Sequence, residues 1–253
     1  MAAYYNEINA HHAQWLRNLI ADGHIAPGVV DERSIEDVRP DDLVGFTQCH
    51  FFAGVGGWSI ALRMAGWPDN RPAWSGSCPC QPFSQTGEGL GFADERHLWP
   101  GFHWLIQERK PTVVFGEQVA GKDTDPWIDL VCADMEGLGY AFGAVPLPAA
   151  GVGSPQLRDR LYWVANATRL RLGQEHPDAG GSAQGGGPQR LTPGPMPSRA
   201  FEWRIGLDGR RRPLEPGVEP VVAGFPGLLE QLGAYGNAIN VTAARVFIES
   251  VMG

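Results

Sequence analysis

Apolar residues recur along the chain at two spacings, which separate candidate helices from candidate strands. Between Ala10 and Asp22 they return every three or four positions, which predicts a helix. The same spacing follows Gly57 and Leu98 and recurs over 127–138 and 241–251. Short apolar runs predict strands over 4–8, from 28 onward, and over 48–52, 112–115, 140–145 and 161–165. Because strands and helices alternate, we predict an α/β fold with a mostly parallel sheet and helices on both faces.

This periodicity fails between Asn166 and Val222, where glycine and proline are abundant. We expect this stretch to be loop-rich or partly disordered. One hairpin signal survives there, with a strand over Trp203–Leu207, a turn at Asp208-Gly209 and a second strand from Arg210 to Arg212. The pattern therefore predicts a main domain over 1–165, a small irregular region over 166–222, and a C-terminal segment over 223–253 that returns to the main domain.

Composition narrows the class of protein. The chain has 253 residues, of which 43% are hydrophobic, enough for one sizeable core with a small appended module. It contains four cysteines without a Cys-x-x-Cys pair. We see no signal peptide and no apolar run of about 18 residues, so we expect a soluble protein of a reducing cytosol.

The charge is unevenly distributed. A net charge of -8 disfavours nucleic-acid binding when it is averaged over the chain. The region 166–222, however, holds eight Arg, no Lys and six acidic residues, so it carries +2 against -10 elsewhere. The excess of positive charge is therefore confined to the region 166–222.

A thiol lies between two prolines in the segment Gly76–Ser84. Pro79 and Pro82 fix the backbone on both sides of Cys80 and remove two amide donors, whereas a packing cysteine usually lies among aliphatic residues of a strand or helix. We predict that Cys80 is a nucleophile. A Cys-x-Cys metal half-site with Cys78 or a disulfide are the alternatives, but the further partners that they need are mostly absent.

Glycines follow the apolar strand at 48–52. The sequence Gly54-Val55-Gly56-Gly57 allows the backbone to approach a ligand closely, with the first amides of the next helix directed at it. This favours a nucleotide-like cofactor, and an ordinary tight turn is the alternative. The acid that usually holds the ribose about 20 residues further on is missing, because Asp69 is the sole acid between Gly57 and Cys78.

Six separated segments resemble motifs of the DNA cytosine-5 methyltransferases. Phe52–Gly57 and Pro79–Ser84 are similar to the first and fourth motifs of that family, and the others follow in order: Gly89–Arg96, Gly116–Val119, Gln156–Arg160 and Gly236–Ile239. The resemblance implies a Rossmann-like class I methyltransferase fold. It also implies transfer of a methyl group from S-adenosyl-L-methionine to carbon 5 of cytosine in double-stranded DNA, with S-adenosyl-L-homocysteine as the product.

The resemblance suggests where the missing acid lies. In the family, a strand ending in Glu, a helix and an Asp-Ile strand end follow the glycine motif, whereas here similar features precede it. We therefore predict a permuted motif order, in which Glu7 and Ile8 bind the ribose side of the cofactor. Ser34 and Ile35 would contact the adenine, unless Asp31 takes the role of Ser34. An unrelated N-terminal extension with a degraded cofactor site is the alternative.

The permutation raises a question of topology. If the spatial order of the strands is unchanged, right-handed crossovers tend to move the helix after Gly57 to the other sheet face. The segment 39–47 or the segment 66–74 would have to absorb this change. Otherwise the N-terminal unit would dock from another subunit.

The resemblance implies the catalytic roles. Cys80 would add to carbon 6 of a flipped cytosine, Glu117 would bind ring nitrogen 3 and the exocyclic amine, and Arg158 with Arg160 would orient the base and the thiolate loop. Without the family motif, Glu117 would be interpreted as the cap of a neighbouring helix, and Arg158 and Arg160 as members of surface ion pairs. Gln118 replaces the Asn of the family, which places in question the hydrogen bonds behind Cys80. The reaction requires no metal.

The remaining binding residues are also implied by the family. The predicted cofactor residues are Phe52, Gly54, Gly56, Gly57 and Asn237, the last with a helix N-cap as its alternative role. Target recognition would lie in the region 166–222. The candidate DNA contacts are Gln81, Ser84, Gln156, Arg204, Arg210, Arg211 and Arg212.

Two rival functions share parts of this pattern. A related pyrimidine-modifying enzyme, acting on RNA or transferring another group, would use the same Cys80 and Glu117 chemistry. A catalytically decayed DNA-binding homologue would explain Gln118, Ser34 and the motif order. We expect a cytoplasmic protein of a bacterium or a phage-infected cell, with no membrane contact, and leave a homo-oligomer or a specificity partner open.

Overall fold

The computed structural model describes residues 2–78, 98–120, 125–153, 158–167, 202–205, 211–214 and 238–252. In chain order the main elements are β1 (Ala2–Asn6), α1 (Ala10–Ala21), β2 (Gly28–Asp31), β3 (Phe46–Phe51), α2 (Gly57–Met64), β4 (Ala73–Gly76), α3 (Trp99–Arg109), β5 (Val113–Val119), α4 (Asp125–Gly137), β6 (Ala141–Pro148), β7 (Asp159–Asn166), β8 (Glu202–Ile205), β9 (Arg211–Leu214) and α5 (Val241–Met252). Short 3-10 helices cover Ile35–Asp37, Pro40–Leu43 and Ala149–Val152.

Seven strands form one sheet in the order β2-β1-β3-β4-β5-β7-β6. The pairs from β2 to β5 are parallel, and β7 is antiparallel to both of its neighbours. This confirms the predicted Rossmann-like α/β fold with a mostly parallel sheet. In doubly wound sheets the strand that carries the glycine turn has the acid-bearing strand on one side. Here β3 has β1 in that place, although β1 precedes it in the chain.

The register aligns the carboxyl ends of the central strands. Asn6 of β1 is opposite Phe51 of β3, Phe51 is opposite Gly76 of β4, and Gly76 is opposite Gly116 of β5. The residues that follow these positions therefore emerge together at one edge of the sheet. Ligands of open α/β sheets bind at this edge.

Helices cover both faces of the sheet because alternate strand residues are apolar on each side. On one face, Phe115 of β5 packs with Leu62 of α2 and Phe247 of α5. On the opposite face, Val114 packs with Phe102 of α3 and Val131 of α4. Both layers of the predicted core are thus present.

The helix α2 does not move to the other face. Leu16 of α1 and Ile60 of α2 both pack with Tyr5, so the two helices lie on the same face of the sheet. Helix α1 links β1 to β2 in one direction across the sheet, whereas α2 links β3 to β4 in the opposite direction. The two crossovers therefore have opposite hands. The described helices between β2 and β3, between β4 and β5 and between β5 and β6 pack on the other face. These connections lead in the same direction across the sheet as the α2 connection, so they share the hand of the α1 crossover.

Parallel crossovers are right-handed in about 98% of cases, and the α2 connection differs in hand from the other parallel connections of this sheet. Neither the segment 39–47 nor the segment 66–74 places α2 on the other face. Strand β1 pairs with β3 of the same chain, and β2 pairs with β1.

Contacts divide the chain into two units, Met1–Glu175 with Leu232–Gly253, and His176–Gln231. In the second unit, β8 and β9 pair in antiparallel fashion, with Glu202 opposite Leu214 and Ile205 opposite Arg211. This pairing confirms the predicted hairpin strands, and the predicted turn lies outside the described residues. In the part of the chain that the structure describes, no helix is long and apolar enough to cross a membrane.

Candidate active site

A cleft of about 570 Å³ opens at the carboxyl edge of the sheet. Its walls come from the ends of β1, β3, β4 and β5, the first turns of α1 and α2, the start of β7 and the residues before α5. The lining residues are Glu7, Ile8, Asn9, His12, Phe52, Ala53, Gly54, Val55, Gly57, Trp58, Ser77, Cys78, Glu117, Gln118, Val119, Arg158, Arg160, Ala238 and Ile239.

Glu7 joins the end of β1 to the glycine turn. Its Oε2 atom accepts the backbone N–H of Gly54 at 2.7 Å, and its Oε1 atom accepts that of Asn9 at 2.9 Å. His12 of α1 lies close by, with Nδ1 3.7 Å from Oε1. Glu7 is 8% exposed, so this carboxylate forms part of the cleft floor beside the glycine turn. Glu7, the acid that the permuted order predicts, therefore contacts the glycine turn because β1 and β3 are neighbouring strands.

The glycine turn has the conformation that its sequence predicts. Gly54 and Gly56 adopt φ values of +53° and +80°, in the left-handed region that favours glycine. A β-carbon on Gly57 would lie 2.7 Å from Ile239 Cγ1, so the residues before α5 close against this turn. Phe52 also has a positive φ, 51°, which is uncommon for an aromatic residue and strains the backbone where the turn begins.

The predicted adenine contacts do not line the cleft. Ile35 is 3% exposed and belongs to the core cluster beneath α3 and α4. Ser34 caps a 3-10 helix by accepting the N–H of Glu36. Asp31 accepts the Tyr4 hydroxyl at 2.7 Å and pairs with Arg33 at 2.6 Å. The structure therefore brings Glu7, Ile8 and the glycine turn together but leaves Ser34, Ile35 and Asp31 outside the described cleft lining.

Glu117 is a buried carboxyl at the opposite end of the cleft. It lies in the buried part of β5, one residue before Gln118, which is the last buried residue of the strand, and is 6% exposed. Its Oε1 atom is 2.7 Å from Nε of Arg160. Burial raises the pKa of Glu117 above its ordinary value, although Arg160, Arg158 and the Ser77 hydroxyl all act to lower it. A carboxyl in this state can hold a proton closer to neutral pH than an exposed one.

Arg158 and Arg160 flank this carboxyl from the start of β7. Both line the cleft, as their alternation on an extended segment predicts. Val119 and Arg160 are register partners, so the antiparallel pairing of β5 with β7 sets the position of Arg160 relative to Glu117. Arg160 is thus paired with Glu117 and is not a solvated surface group.

Gln118 supports the segment that leads to Cys80. Its Nε2 atom donates to the backbone carbonyl of Cys78 at 3.1 Å, and its Oε1 atom accepts the N–H of Val119 at 2.9 Å. The longer side chain of Gln118 therefore still reaches the backbone two residues before Cys80. Cys78 itself is 3% exposed and packs in the core.

Sequence reasoning missed Trp58 and Ser77. Trp58 Nε1 donates to Ser77 Oγ at 3.1 Å, and both residues line the cleft. Trp58 is one of the apolar residues in the helical spacing that follows Gly57, and the sequence contains no signal for a hydrogen bond between residues so far apart.

Several predicted site residues lie outside the described residues: Cys80, Gln81, Ser84, Gln156, Arg210 and Asn237. Arg204 lies on β8, and Arg211 and Arg212 lie on β9. Among the described residues, no group of three or more His, Cys, Asp or Glu side chains could hold a metal ion.

Known proteins resemble this chain over the same site. A sequence model of the C-5 cytosine-specific DNA methylases matches residues 68–179, a range that contains Cys80, Glu117, Arg158 and Arg160. The match begins after the glycine turn and Glu7.

Two curated relatives are Type II methyltransferases. M.HhaI of Haemophilus parahaemolyticus is 29% identical over 176 residues, covering 54% of each chain. M.NlaX of Neisseria lactamica is 35% identical over 145 residues, covering 53% of this chain and 46% of the relative. The chain thus spans about half the length of the curated relatives that it matches.

Among solved structures, a DNMT2 mutant of Spodoptera frugiperda aligns with a TM-score of 0.45 and 18% identity, over 66% of this chain and 43% of that one. The matched range and these relatives make the chain similar to the C-5 cytosine-specific DNA methylases over a range that contains Glu117, Arg158 and Arg160.

Proposed function

We propose that the chain transfers a methyl group from S-adenosyl-L-methionine to carbon 5 of cytosine in double-stranded DNA, through a covalent adduct of Cys80 with a flipped base. The observation that carries this proposal is the pair of carboxyl groups in one cleft. Glu7 lies beside the glycine turn, and Glu117 lies beside Arg160 and the backbone that leads to Cys80. One end suits a nucleoside, and the other suits a pyrimidine ring.

The residues at the first end fit the cofactor. A carboxylate can accept about four hydrogen bonds, so Glu7 keeps acceptor capacity for the ribose hydroxyls after its two bonds to backbone N–H groups. The glycine turn leaves room for a close backbone approach, and Phe52 with Ile8 supplies apolar surface. When bound, S-adenosyl-L-methionine supplies the electrophilic methyl group. Asn237, and Ser34 or Asp31, are the further proposed contacts.

At the other end, Glu117 matches the edge of cytosine when it is protonated. Ring nitrogen 3 is an acceptor and the exocyclic amine is a donor, so one carboxyl O–H and one carboxyl oxygen complement them. The raised pKa of Glu117 favours this form. Addition of the Cys80 thiolate to carbon 6 then makes carbon 5 nucleophilic, and Glu117 stabilises the enamine that forms. Loss of the proton from carbon 5 after transfer expels Cys80 and restores the aromatic ring.

Arginine supplies the proposed contacts to DNA. Arg158 and Arg160 orient the flipped base, and Arg204, Arg210, Arg211 and Arg212 of the recognition region 166–222 contact phosphates or guanine edges. Gln81, Ser84 and Gln156 complete this set. We propose that the protein acts in the cytoplasm of a bacterium or a phage-infected cell, where a Type II modification system would operate.

Trapping on a modified base tests this proposal. Double-stranded DNA of mixed sequence that carries 5-fluorocytosine cannot lose fluorine from carbon 5, so the adduct should persist on a denaturing gel when the methyl donor is present. Cys80→Ser should abolish the adduct, whereas Cys132→Ser, on α4 and outside the cleft lining, should leave it unchanged. An adduct with modified RNA alone would favour the RNA enzyme. DNA binding without any adduct or cofactor binding would favour the decayed homologue.

A further inference from the structure

The connection between β1 and α1, together with the first turn of α1, supplies three polar side chains to the described lining of the cleft. They are Glu7, Asn9 and His12. Glu7 lies beside the glycine turn, so these side chains face the end of the cleft that suits a nucleoside. The motif that predicts a ribose contact for Glu7 assigns no role to His12.

The three residues are held together by backbone hydrogen bonds. Asn9 caps α1, and its Oδ1 atom accepts the backbone N–H groups of His11 at 2.9 Å and His12 at 3.1 Å. The backbone N–H of Asn9 donates to Glu7 Oε1 at 2.9 Å. The backbone of His12 is therefore fixed relative to the carboxylate of Glu7 before any ligand binds.

The distance between His12 and Glu7 leaves space for a shared ligand atom. Nδ1 of His12 is 3.7 Å from Oε1 of Glu7, which is too long for a direct hydrogen bond. One oxygen atom can lie about 2.8 Å from both of these atoms at once. A hydroxyl fits this position, because it can donate its proton to the carboxylate and accept from an imidazole N–H. The side chain of His12 is 16% exposed, so little of it faces bulk solvent.

We propose that His12 is a further cofactor-binding residue, which holds one ribose hydroxyl of S-adenosyl-L-methionine together with Glu7. The inference rests on the proposed function, because the ribose belongs to the proposed cofactor. The hydroxyl donates to Glu7 Oε1 and accepts from the Nδ1–H tautomer of His12. Glu7 Oε2, which faces the glycine turn, remains for the second hydroxyl.

Ligands that lack one hydroxyl separate a direct contact from a structural role. Isothermal titration calorimetry measures binding of S-adenosyl-L-homocysteine and of its 2′-deoxy and 3′-deoxy analogues to the full chain. His12→Ala should weaken binding of the parent ligand about fivefold, as expected for one hydrogen bond between neutral groups. Binding of one deoxy analogue should change by about twofold at most, because the hydroxyl that His12 contacts is already missing.

Two further variants frame this result. His12→Gln keeps a hydrogen-bond donor and should restore most of the affinity for the parent ligand. His11→Ala is the matched control, because His11 precedes His12 on α1 and lies outside the described lining. The centroids of the two rings are 6.3 Å apart, so His11→Ala alters the same turn without removing the proposed contact. Its affinities for all three ligands should stay within about twofold of the wild-type values.

Two results would overturn the role of His12. One is an unchanged affinity for the parent ligand in folded His12→Ala, and the other is an equal loss for all three ligands, which indicates a structural effect. If His12→Ala does not fold, His12→Leu, which neither donates nor accepts, decides by the same criterion. Failure of the wild-type protein to bind S-adenosyl-L-homocysteine would contradict the proposed function itself, and the contact with it.

Discussion

Replacing Glu7 by alanine tests the permuted arrangement directly, because two hydrogen bonds to backbone N–H groups and the proposed ribose contacts depend on one carboxylate. In the free protein Glu7 accepts from Gly54 and Asn9. Leaving a donor unsatisfied costs about 1–3 kcal/mol, and since both N–H groups border the open cleft, water can reach them. We therefore expect a loss of about 2 kcal/mol in the free energy of unfolding.

The effect on cofactor binding should be larger than this loss of stability implies. Two hydroxyl hydrogen bonds to a carboxylate contribute about 1.5 kcal/mol each at the low end, so Glu7→Ala should raise the Kd of S-adenosyl-L-methionine about 100-fold. Asp69→Ala is the control, because Asp69 lies outside the cleft and forms a partly exposed ion pair with Arg63 at 2.7 Å. Such a pair contributes about 1 kcal/mol at most, and the Kd should stay within about twofold.

Isothermal titration calorimetry of both folded variants measures these values, and thermal unfolding separates stability from binding. Normal affinity in Glu7→Ala together with a severe loss in Asp69→Ala would refute the permuted assignment. Equal losses in the two variants would also contradict it, because only Glu7 lines the cleft.

Three further predictions follow from individual contacts. Gln118→Ala removes the bond to the Cys78 carbonyl, so adduct formation should slow about tenfold while cofactor affinity, read by calorimetry, is retained. Gly116→Ala would place a β-carbon 2.0 Å from Trp163 and should destabilise the fold by about 3 kcal/mol in urea unfolding, whereas Gly143→Ala, with no atom within 4 Å, should cost far less. Because burial raises the pKa of Glu117, the native state holds a proton that the unfolded chain has lost, so stability should fall as pH rises from the unfolded to the native pKa. Glu117→Gln should remove that slope from the pH dependence of Tm, and an unchanged slope would contradict the assignment.

The local elements were largely predictable from the sequence because apolar periodicity decides them. Helix α1 was expected from Ala10 to about Asp22 and covers Ala10–Ala21, and the glycine turn adopts the left-handed backbone that Gly54 and Gly56 permit. The strand β4 was never bounded in advance, because Ala73–Gly76 has only four residues and includes Ser75 and Gly76. Short strands give too few positions for a period to show.

Side-chain partnerships were predictable only where a motif implied them. Glu7 lies beside Gly54 because β1 pairs with β3. The usual chain order would instead place the acid about 20 residues after the glycine turn. The bond between Trp58 and Ser77 depends on the packing of α2 over β4, which no local pattern encodes. Ile35 illustrates the converse, because the family pattern suggested a ligand contact and the packing makes it a core residue.

The hand of the α2 crossover bears on the predicted permutation. Consider a chain in which β1, α1 and β2 follow α2. Helix α2 would then lead from β3 to β1, in the same direction and on the same face as α1. All parallel connections of the sheet would then have the same hand. In the observed order α2 leads to β4 instead, so its crossover has the opposite hand to that of α1. Helix α2 packs with α5 and Phe115, and its first turn lies at the carboxyl edge. The site depends on which strand ends are neighbours, so the proposed change of chain order is compatible with a single cleft that contains Glu7, the glycine turn and Glu117.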